Sequence, residues 1–270
     1  MNLIDISDLQ PSDIHEIWKR TEEPSGGLSG TVGWSFEGNG VRTRTSFIQA
    51  FRELGLAHTE LPNLLKTDER LADLAGYLDE FYQLFVIRES RHEQLRAFAD
   101  CSSRPVINAM SKYGHPCEVL TDAFSIQKRL GPLAGLRICL WGPPSNVFRS
   151  WHQIAQVLRF QILHTCERRH HASAGAFVTY TEQPSGPIDV IITDSWSSSL
   201  TSKPGSEWSL SLKILHQLGT PVLLPTPPFF IGKELAFDPT TYPNFIGYAQ
   251  KTMLVRVQRA IVTHVVERSR

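Results

Sequence analysis

The chain has no paired-cysteine motif, no long apolar run, no net charge and no internal repeat, and each absence removes a class of function. Its four cysteines, Cys101, Cys117, Cys139 and Cys166, show neither CxxC pairing nor zinc-type spacing, and two of them sit in apolar surroundings. That argues against a disulfide scaffold or a zinc module and for reduced thiols in a cytoplasmic setting. With 27 Lys and Arg against 27 Asp and Glu, there is no net field to draw in nucleic acid or an anionic membrane. Any anion must therefore be held by a local cluster. No stretch of about 18 apolar residues occurs, and the N-terminal MNLIDISDLQ has no basic segment followed by an apolar one. A soluble, cytoplasmic protein with no membrane or nucleic-acid partner is the expectation.

What is present is an alternation of strand-like and helix-like segments over 270 residues, enough for two lobes of about 130 residues each. TVGWSFEG has the composition of a short strand. It runs through a glycine-rich turn into 42–54, where Phe47, Ala50, Phe51 and Leu54 fall at helical spacing before Gly55. Residues 70–80 repeat the helical spacing, FYQLFVIR reads as a buried strand ending at Arg88, PVIN as another, and 117–130 as a helix stopped by Gly131-Pro132. A second series has strands at 135–142, 176–180, 189–194 and 221–225 and a helix at 146–160. Loops are expected at 195–209 and 226–244. Ala249, Met253, Val257, Ala260, Ile261 and Val265 predict a final helix over 246–266. The pattern is that of an α/β protein with two doubly wound parallel-sheet lobes. The expected divisions are a first lobe over 1–132, a second over 133–245, and a C-terminal helix over 246–270 packing on the first.

Three elements carry chemistry. In FEGNGVRTRTSF the turn delivers Gly40 and Val41 to a helix start, where unpaired N–H groups and the helix dipole favour an anion. Arg42 and Thr43 add a guanidinium fork and a hydroxyl at the same place. The alternative is a solvated basic first turn, although arginine there opposes the dipole and so needs a reason. In GHPCE, His115 precedes another helix and could donate to an oxyanion or exchange a proton; the alternative is a structural histidine. A metal held by His115, Cys117 and Glu118 is disfavoured, because neighbouring positions at a helix start rarely converge on one ion. Arg88 ends a buried strand, where open α/β sheets place ligands, or else caps a sheet edge with a salt bridge. The His170-His171 pair lies in the basic run ERRHH and reads as a solvated face.

In this order and spacing the three elements resemble the aspartate and ornithine carbamoyltransferases. The family pattern FExPSTRTRxSFE is similar to Phe36 to Phe47, HPxQ to His115-Pro116-Cys117-Glu118, and the strand arginine between them to Arg88. GLRICLWGPPSNV is similar to GLKIxxxGDxxNV, DVIITDSWSSSL to the ornithine branch's DVxYTDVWxSMG, and LLPTPP stands where the family has HCLP or HPLP. The resemblance spans nearly the whole chain. It implies two lobes around an anion-binding cleft, and transfer of a carbamoyl group from carbamoyl phosphate to an amine. It implies no cofactor, no metal and no covalent enzyme intermediate. In that scheme Thr43, Arg88 and His115 polarise the carbamoyl carbonyl, while Arg42 and backbone amides near Gly40 and Val41 hold the phosphate. Asp194 receives the acceptor's amino group, Asn146, Ser198 and Ser199 bind its carboxylate end, and Pro225 borders it. The assembly implied is a homotrimer.

The chain also departs from the pattern. Gly40-Val41 replaces Ser-Thr, which removes two hydroxyls from the phosphate cradle; Glu118 replaces the Gln of HPxQ; and Leu224-Pro225 stands for the Cys or His of HCLP. Thr226-Pro227 takes the place of a Leu-Pro pair that is cis in the family, Leu254 that of a late arginine, and Lys66-Thr67-Asp68-Glu69 faintly echoes a segment that enters a neighbouring subunit. Three readings follow. One is a carbamoyltransferase with an amine-bearing, amino-acid-like acceptor in a specialised pathway. Another is an enzyme of the same fold with an altered donor or reaction, using Glu118 as a general base. The third is a catalytically silent binding or assembly protein.

Overall fold

The computed structural model describes residues 1–24, 26–173, 175–196 and 208–269. It divides into two compact units, Met1–Phe124 with Thr252–Arg270, and Ser125–Lys251.

In the first unit the elements are α1 (Pro11–Glu22), β1 (Thr31–Phe36), α2 (Val41–Leu54), β2 (Ala57–Glu60), α3 (Leu71–Leu78), β3 (Leu84–Arg88), α4 (His92–Cys101), β4 (Val106–Met110) and the start of α5 (Pro116–Leu130). The four strands are parallel in the order β2-β1-β3-β4. From β1 the chain moves outward one way to β2, and from β3 the other way to β4. The switch point of the sheet therefore lies between Phe36 and Arg88, which pair in register, and a doubly wound sheet opens its ligand crevice at that place. α2 forms as its spacing predicts: Phe47, Ala50, Phe51 and Leu54 are fully buried, and the Phe51 ring meets Trp34 edge-on at 5.4 Å. Full burial of each large apolar side chain is worth about 1.5–3 kcal/mol. Gly55, at φ +74°, ends the helix in the left-handed conformation that glycine adopts without strain. On one face of the sheet Phe85, Ile87 and Val106 pack with Leu95, Phe98 and Ala99 of α4.

The second unit contains β5 (Ile138–Trp141), α6 (Asn146–Leu158), β6 (Ile162–Thr165), β7 (Val178–Thr181), β8 (Val190–Thr193), α7 (Leu212–Gln217) and β9 (Val222–Pro225). Its five strands are again all parallel, in the order β7-β6-β5-β8-β9, so its switch point lies between the ends of β5 and β8, where Trp141 pairs with Thr193. Cys139, Trp141, Ile191, Leu215 and Leu223 form its core on one face.

α8 (Gly247–Glu267) closes the chain, and its residues from Thr252 onward belong to the first unit. Val257, Ala260, Ile261 and Val265 are buried as the spacing predicts, but Ala249 is exposed and Met253 only half-buried; Gln250, Leu254 and Gln258 are the buried residues of those turns. α1, β2, α4, β6 and α7 add to the elements read from the sequence. The expected strand over 135–142 is shorter, because Leu133–Gly135 forms a 3-10 turn before it. Within 226–244, a 3-10 turn at Pro239–Thr241 and bridges from Leu235 to Leu210 and Ile231 give the excursion fixed contacts. A cis peptide bond lies between Pro227 and Pro228, one residue on from the Thr226-Pro227 pair. In ERRHH, Arg168 and Arg169 are exposed, but His171 is half-buried, bonded through Nε2 to the Cys166 carbonyl at 3.0 Å and packed on Tyr180.

Candidate functional site

Four residues, Glu37 to Gly40, separate the end of β1 from the start of α2. Gly38 (φ +69°) and Gly40 (φ +44°) take left-handed conformations that other residues adopt only at a cost, and this is what turns the chain so tightly. Gly40 is the N-cap of α2 and offers no side chain to its first-turn N–H groups, which an anion would satisfy instead. The two arginines of the turn differ. Arg44 is bound to Glu60 at 2.6 Å, with its guanidinium 5.3 Å from the centre of the Phe36 ring. Arg42 is exposed and, among the described residues, makes no ion pair. Val41 is exposed, whereas Thr43 is buried, its carbonyl accepting a bond from the Ser46 hydroxyl at 3.1 Å.

Arg88 ends β3 beside this turn, its Cδ 3.3 Å from where a β-carbon on Gly40 would stand. It is half-buried, and burial pulls its pKa below the usual arginine value while the charge of Glu37 pushes the other way. Among the described residues the Arg88 guanidinium makes no hydrogen bond or salt bridge. A partly desolvated cation without a direct partner is costly, and its stem runs beside Gly40, the N-cap of α2. Glu37, which the sequence reading passed over, is held instead by Ser90 and Lys66: the Ser90 N–H donates at 2.6 Å and the Lys66 ammonium lies at 2.9 Å. Those bonds bring its carboxyl down to about 2. Lys66 is thereby fastened to the strand-end loops of its own chain. The only advance signal for this clamp was the Glu of FEGNG.

β4 ends level with Arg88, which pairs with Met110, and the turn Ser111 to Gly114 then leads to His115 and α5. The Gly40 turn, Arg88 and the His115 turn thus leave from the same end of three adjacent strands. His115 is buried at 7% exposure and Glu118, in the first turn of α5, at 6%. Cys117 is fully buried, its thiol pushed far above the ordinary range by desolvation, and inert. Among the described residues no three metal-ligating side chains cluster.

In the second unit Asn146 opens α6, whose N-cap Ser145 accepts the Phe148 N–H at 3.1 Å. Asp194 follows β8, half-buried, with its carboxylate accepting the Ser195 N–H at 2.8 Å. Pro225 ends β9 opposite Thr193. These three lie at the C-terminal ends of β5, β8 and β9, around the switch point. Ser198 and Ser199 lie outside the described residues. Trp196 packs so closely on Gly142 that a β-carbon there would meet its indole nitrogen at 2.6 Å, so position 142 admits only glycine.

Residues 1–128 match the family model described as aspartate/ornithine carbamoyltransferase, carbamoyl-P binding domain. The ornithine carbamoyltransferase of Caulobacter vibrioides is 30% identical over 178 residues, covering 60% of this chain and 57% of its own length. That of Methanopyrus kandleri is 28% identical over 97% of this chain and 96% of its own. The solved ornithine carbamoyltransferase of Pyrococcus furiosus superposes with a TM-score of 0.89 at 21% identity, covering 98% of this chain and 97% of that one, which establishes the shared fold.

Proposed function

We propose that this chain, which belongs to the aspartate/ornithine carbamoyltransferase family, transfers the carbamoyl group of carbamoyl phosphate to the amine of an amino-acid-like acceptor. The observation that carries the reading is Arg88: a half-buried arginine whose guanidinium has no direct partner among the described residues, its stem beside Gly40 at the uncapped N-terminus of α2. In this reading the phosphate lies on the Gly40 and Val41 amides and the Arg42 fork. The Thr43 hydroxyl, Arg88 and His115 polarise the carbamoyl carbonyl and stabilise the tetrahedral oxyanion. The amine nitrogen attacks the carbonyl carbon, the bond from that carbon to the phosphate oxygen breaks, and the amine proton leaves with the phosphate or passes to Glu118.

The acceptor is held by the second unit, with its amino group on Asp194, its carboxylate end on Asn146, Ser198 and Ser199, and Pro225 alongside. An acidic residue at 194 favours an amine-bearing acceptor over aspartate. The loss of two hydroxyls at Gly40-Val41 weakens phosphate binding, since each hydrogen bond to a charged group contributes about 1.5–3 kcal/mol. The assembly is a homotrimer acting in the cytoplasm in a specialised biosynthetic pathway. Among the described residues no helix is long and apolar enough to cross a membrane.

The test is to supply the purified protein with carbamoyl phosphate and a panel of diamines and basic amino acids, ornithine among them, and to measure released phosphate and ureido product. Turnover with at least one amine is expected. No turnover with any amine, together with no thermal shift on adding carbamoyl phosphate, would overturn the reading.

A further inference from the structure

Beneath the turn that delivers His115 runs a polar chain built from parts of the sequence far apart. The N-terminal segment lies alongside β4, the Leu3 N–H donating to the Val106 carbonyl at 2.9 Å and the Leu3 carbonyl accepting from Asn108 at 2.8 Å. This brings Asp5 to the first residue of α4. The His92 Nε2 is 3.2 Å from the Asp5 carboxylate, and the His92 Nδ1 is 2.9 Å from the Ser111 hydroxyl. Ser111 in turn holds the turn: its oxygen receives the Gly114 N–H at 3.1 Å and the Tyr113 N–H at 3.2 Å, and its backbone N–H donates to the Gly114 carbonyl at 2.9 Å. The Tyr113 ring lies on the His92 imidazole at 4.7 Å. Arg96, one turn further along α4, donates to the same Asp5 carboxylate oxygen at 2.5 Å.

A carboxylate only accepts, so His92 donates from Nε2 to Asp5, and its Nδ1 is bonded to the Ser111 hydroxyl. The Ser111 oxygen also receives the two backbone N–H groups of the turn, with the Asn108 Nδ2 and the Gly114 carbonyl each 3.4 Å away. Every link is directional, and the last acts on Gly114, the residue before His115. Asp5, His92 and Ser111 are each nearly inaccessible, at 5% exposure for Asp5 and 2% for Ser111, with a His92 side chain at 9%. Substrate therefore does not reach them, and their effect must pass through the turn.

We propose that His92, oriented by Asp5, is the positioning residue for His115, setting where the His115 imidazole stands through Ser111 and the 111–114 turn. The inference rests on the carbamoyl-transfer reading of His115 and sharpens it.

Three variants test it. His92→Phe keeps a ring for Tyr113 but removes both hydrogen bonds. His92→Asn keeps an acceptor where Nδ1 stood and so retains the Ser111 link. Ser111→Ala cuts the last link and serves as a second arm if His92→Phe does not fold. Outer residues that orient a reacting group typically contribute 10–100-fold. Expected, then, is a drop in kcat of roughly 10–100-fold in His92→Phe and Ser111→Ala, with KM for the acceptor within about 2-fold, and substantial recovery in His92→Asn. A lowered melting temperature with unchanged kcat would assign the chain of bonds to stability alone and overturn the proposal. Should the wild-type protein transfer no carbamoyl group, the transfer reading fails and the imidazole NMR signals decide. His115 resonances displaced in His92→Phe and restored in His92→Asn support the positioning role, and undisplaced resonances refute it.

Discussion

The Cδ of Arg88 lies 3.3 Å, and the Phe36 ring 3.0 Å, from the point a β-carbon on Gly40 would occupy. Gly40 is therefore fitted to its neighbours, and a serine cannot be placed here without moving Phe36 or Arg88. At φ +44° any side chain also meets the left-handed penalty of about 1–2 kcal/mol. Gly40→Ser should cost about 2–4 kcal/mol, adding a crowding term of about 1–2, as read from urea unfolding. Gly38→Ser is the control: φ is +69° but nothing lies within 4 Å, so only the backbone penalty applies. Equal losses at the two positions would show that Phe36 and Arg88 yield freely.

Arg88 itself should separate stability from binding. Its guanidinium is partly desolvated and lacks a direct partner among the described residues, a condition that an apolar side chain of similar length relieves. Arg88→Met is expected to leave the melting temperature unchanged or raise it, while sharply reducing the thermal shift produced by carbamoyl phosphate. A large fall in melting temperature would mean that the arginine stabilises the strand end and that its isolation has no bearing on ligands.

The two sheets and their helices were legible where burial imposes a period: Phe47, Ala50, Phe51 and Leu54 mark α2, and Val257, Ala260, Ile261 and Val265 mark α8. β2 left no such trace, because all four of its side chains are exposed at a sheet edge. β6 is only four residues long, with His164 buried in it. α1 and α4 were readable in principle, Ile14, Ile17 and Trp18 in one and Leu95, Phe98 and Ala99 in the other falling at helical spacing. Of the candidate site, Gly40, Arg42, Arg88 and His115 stood out because each sits at a strand or helix end that sequence can locate. The Glu37 clamp and the Asp5, His92 and Ser111 chain did not, since their partners are tens of residues apart and meet only through the parallel sheet.

Glu37 should report on this clamp through acid stability. Its carboxyl titrates near 4.5 when unfolded and is held at about 2 in the fold by Ser90 and then Lys66. A depressed carboxylate contributes in full above the unfolded value, and the contribution disappears as pH falls through the folded one. The difference in unfolding free energy between the wild type and Glu37→Gln should be at most about 3 kcal/mol at pH 7. It should hold to about pH 5 and shrink steadily towards pH 2. A difference that does not vary with pH would place the effect of the substitution in packing rather than charge.

His152 and His164 predict the opposite edge of the profile. The His164 Nε2 lies 2.9 Å from the Gly142 carbonyl, which can only accept, so that nitrogen carries the proton and Nδ1 receives a hydrogen bond from the His152 Nε2 at 3.1 Å. Both rings are neutral in this chain of bonds, and desolvation lowers His152 to about 4 and His164 to about 3 from an unfolded 6.5. Below pH 6.5 the unfolded chain gains protons that the fold refuses, so the stabilising contribution is complete above 6.5 and is lost as pH falls towards 4 and then 3. The second unit should lose about 1.4 kcal/mol of unfolding free energy per pH unit for each imidazole that stays neutral. The Trp141 and Trp151 fluorescence of that unit can follow its denaturation between pH 7 and pH 4. Replacing both histidines by glutamine should lower the plateau near neutrality, because the Gly142 bond is weakened, yet flatten the slope below it. A slope as steep in the double variant as in the wild type would locate the acid sensitivity elsewhere in the chain.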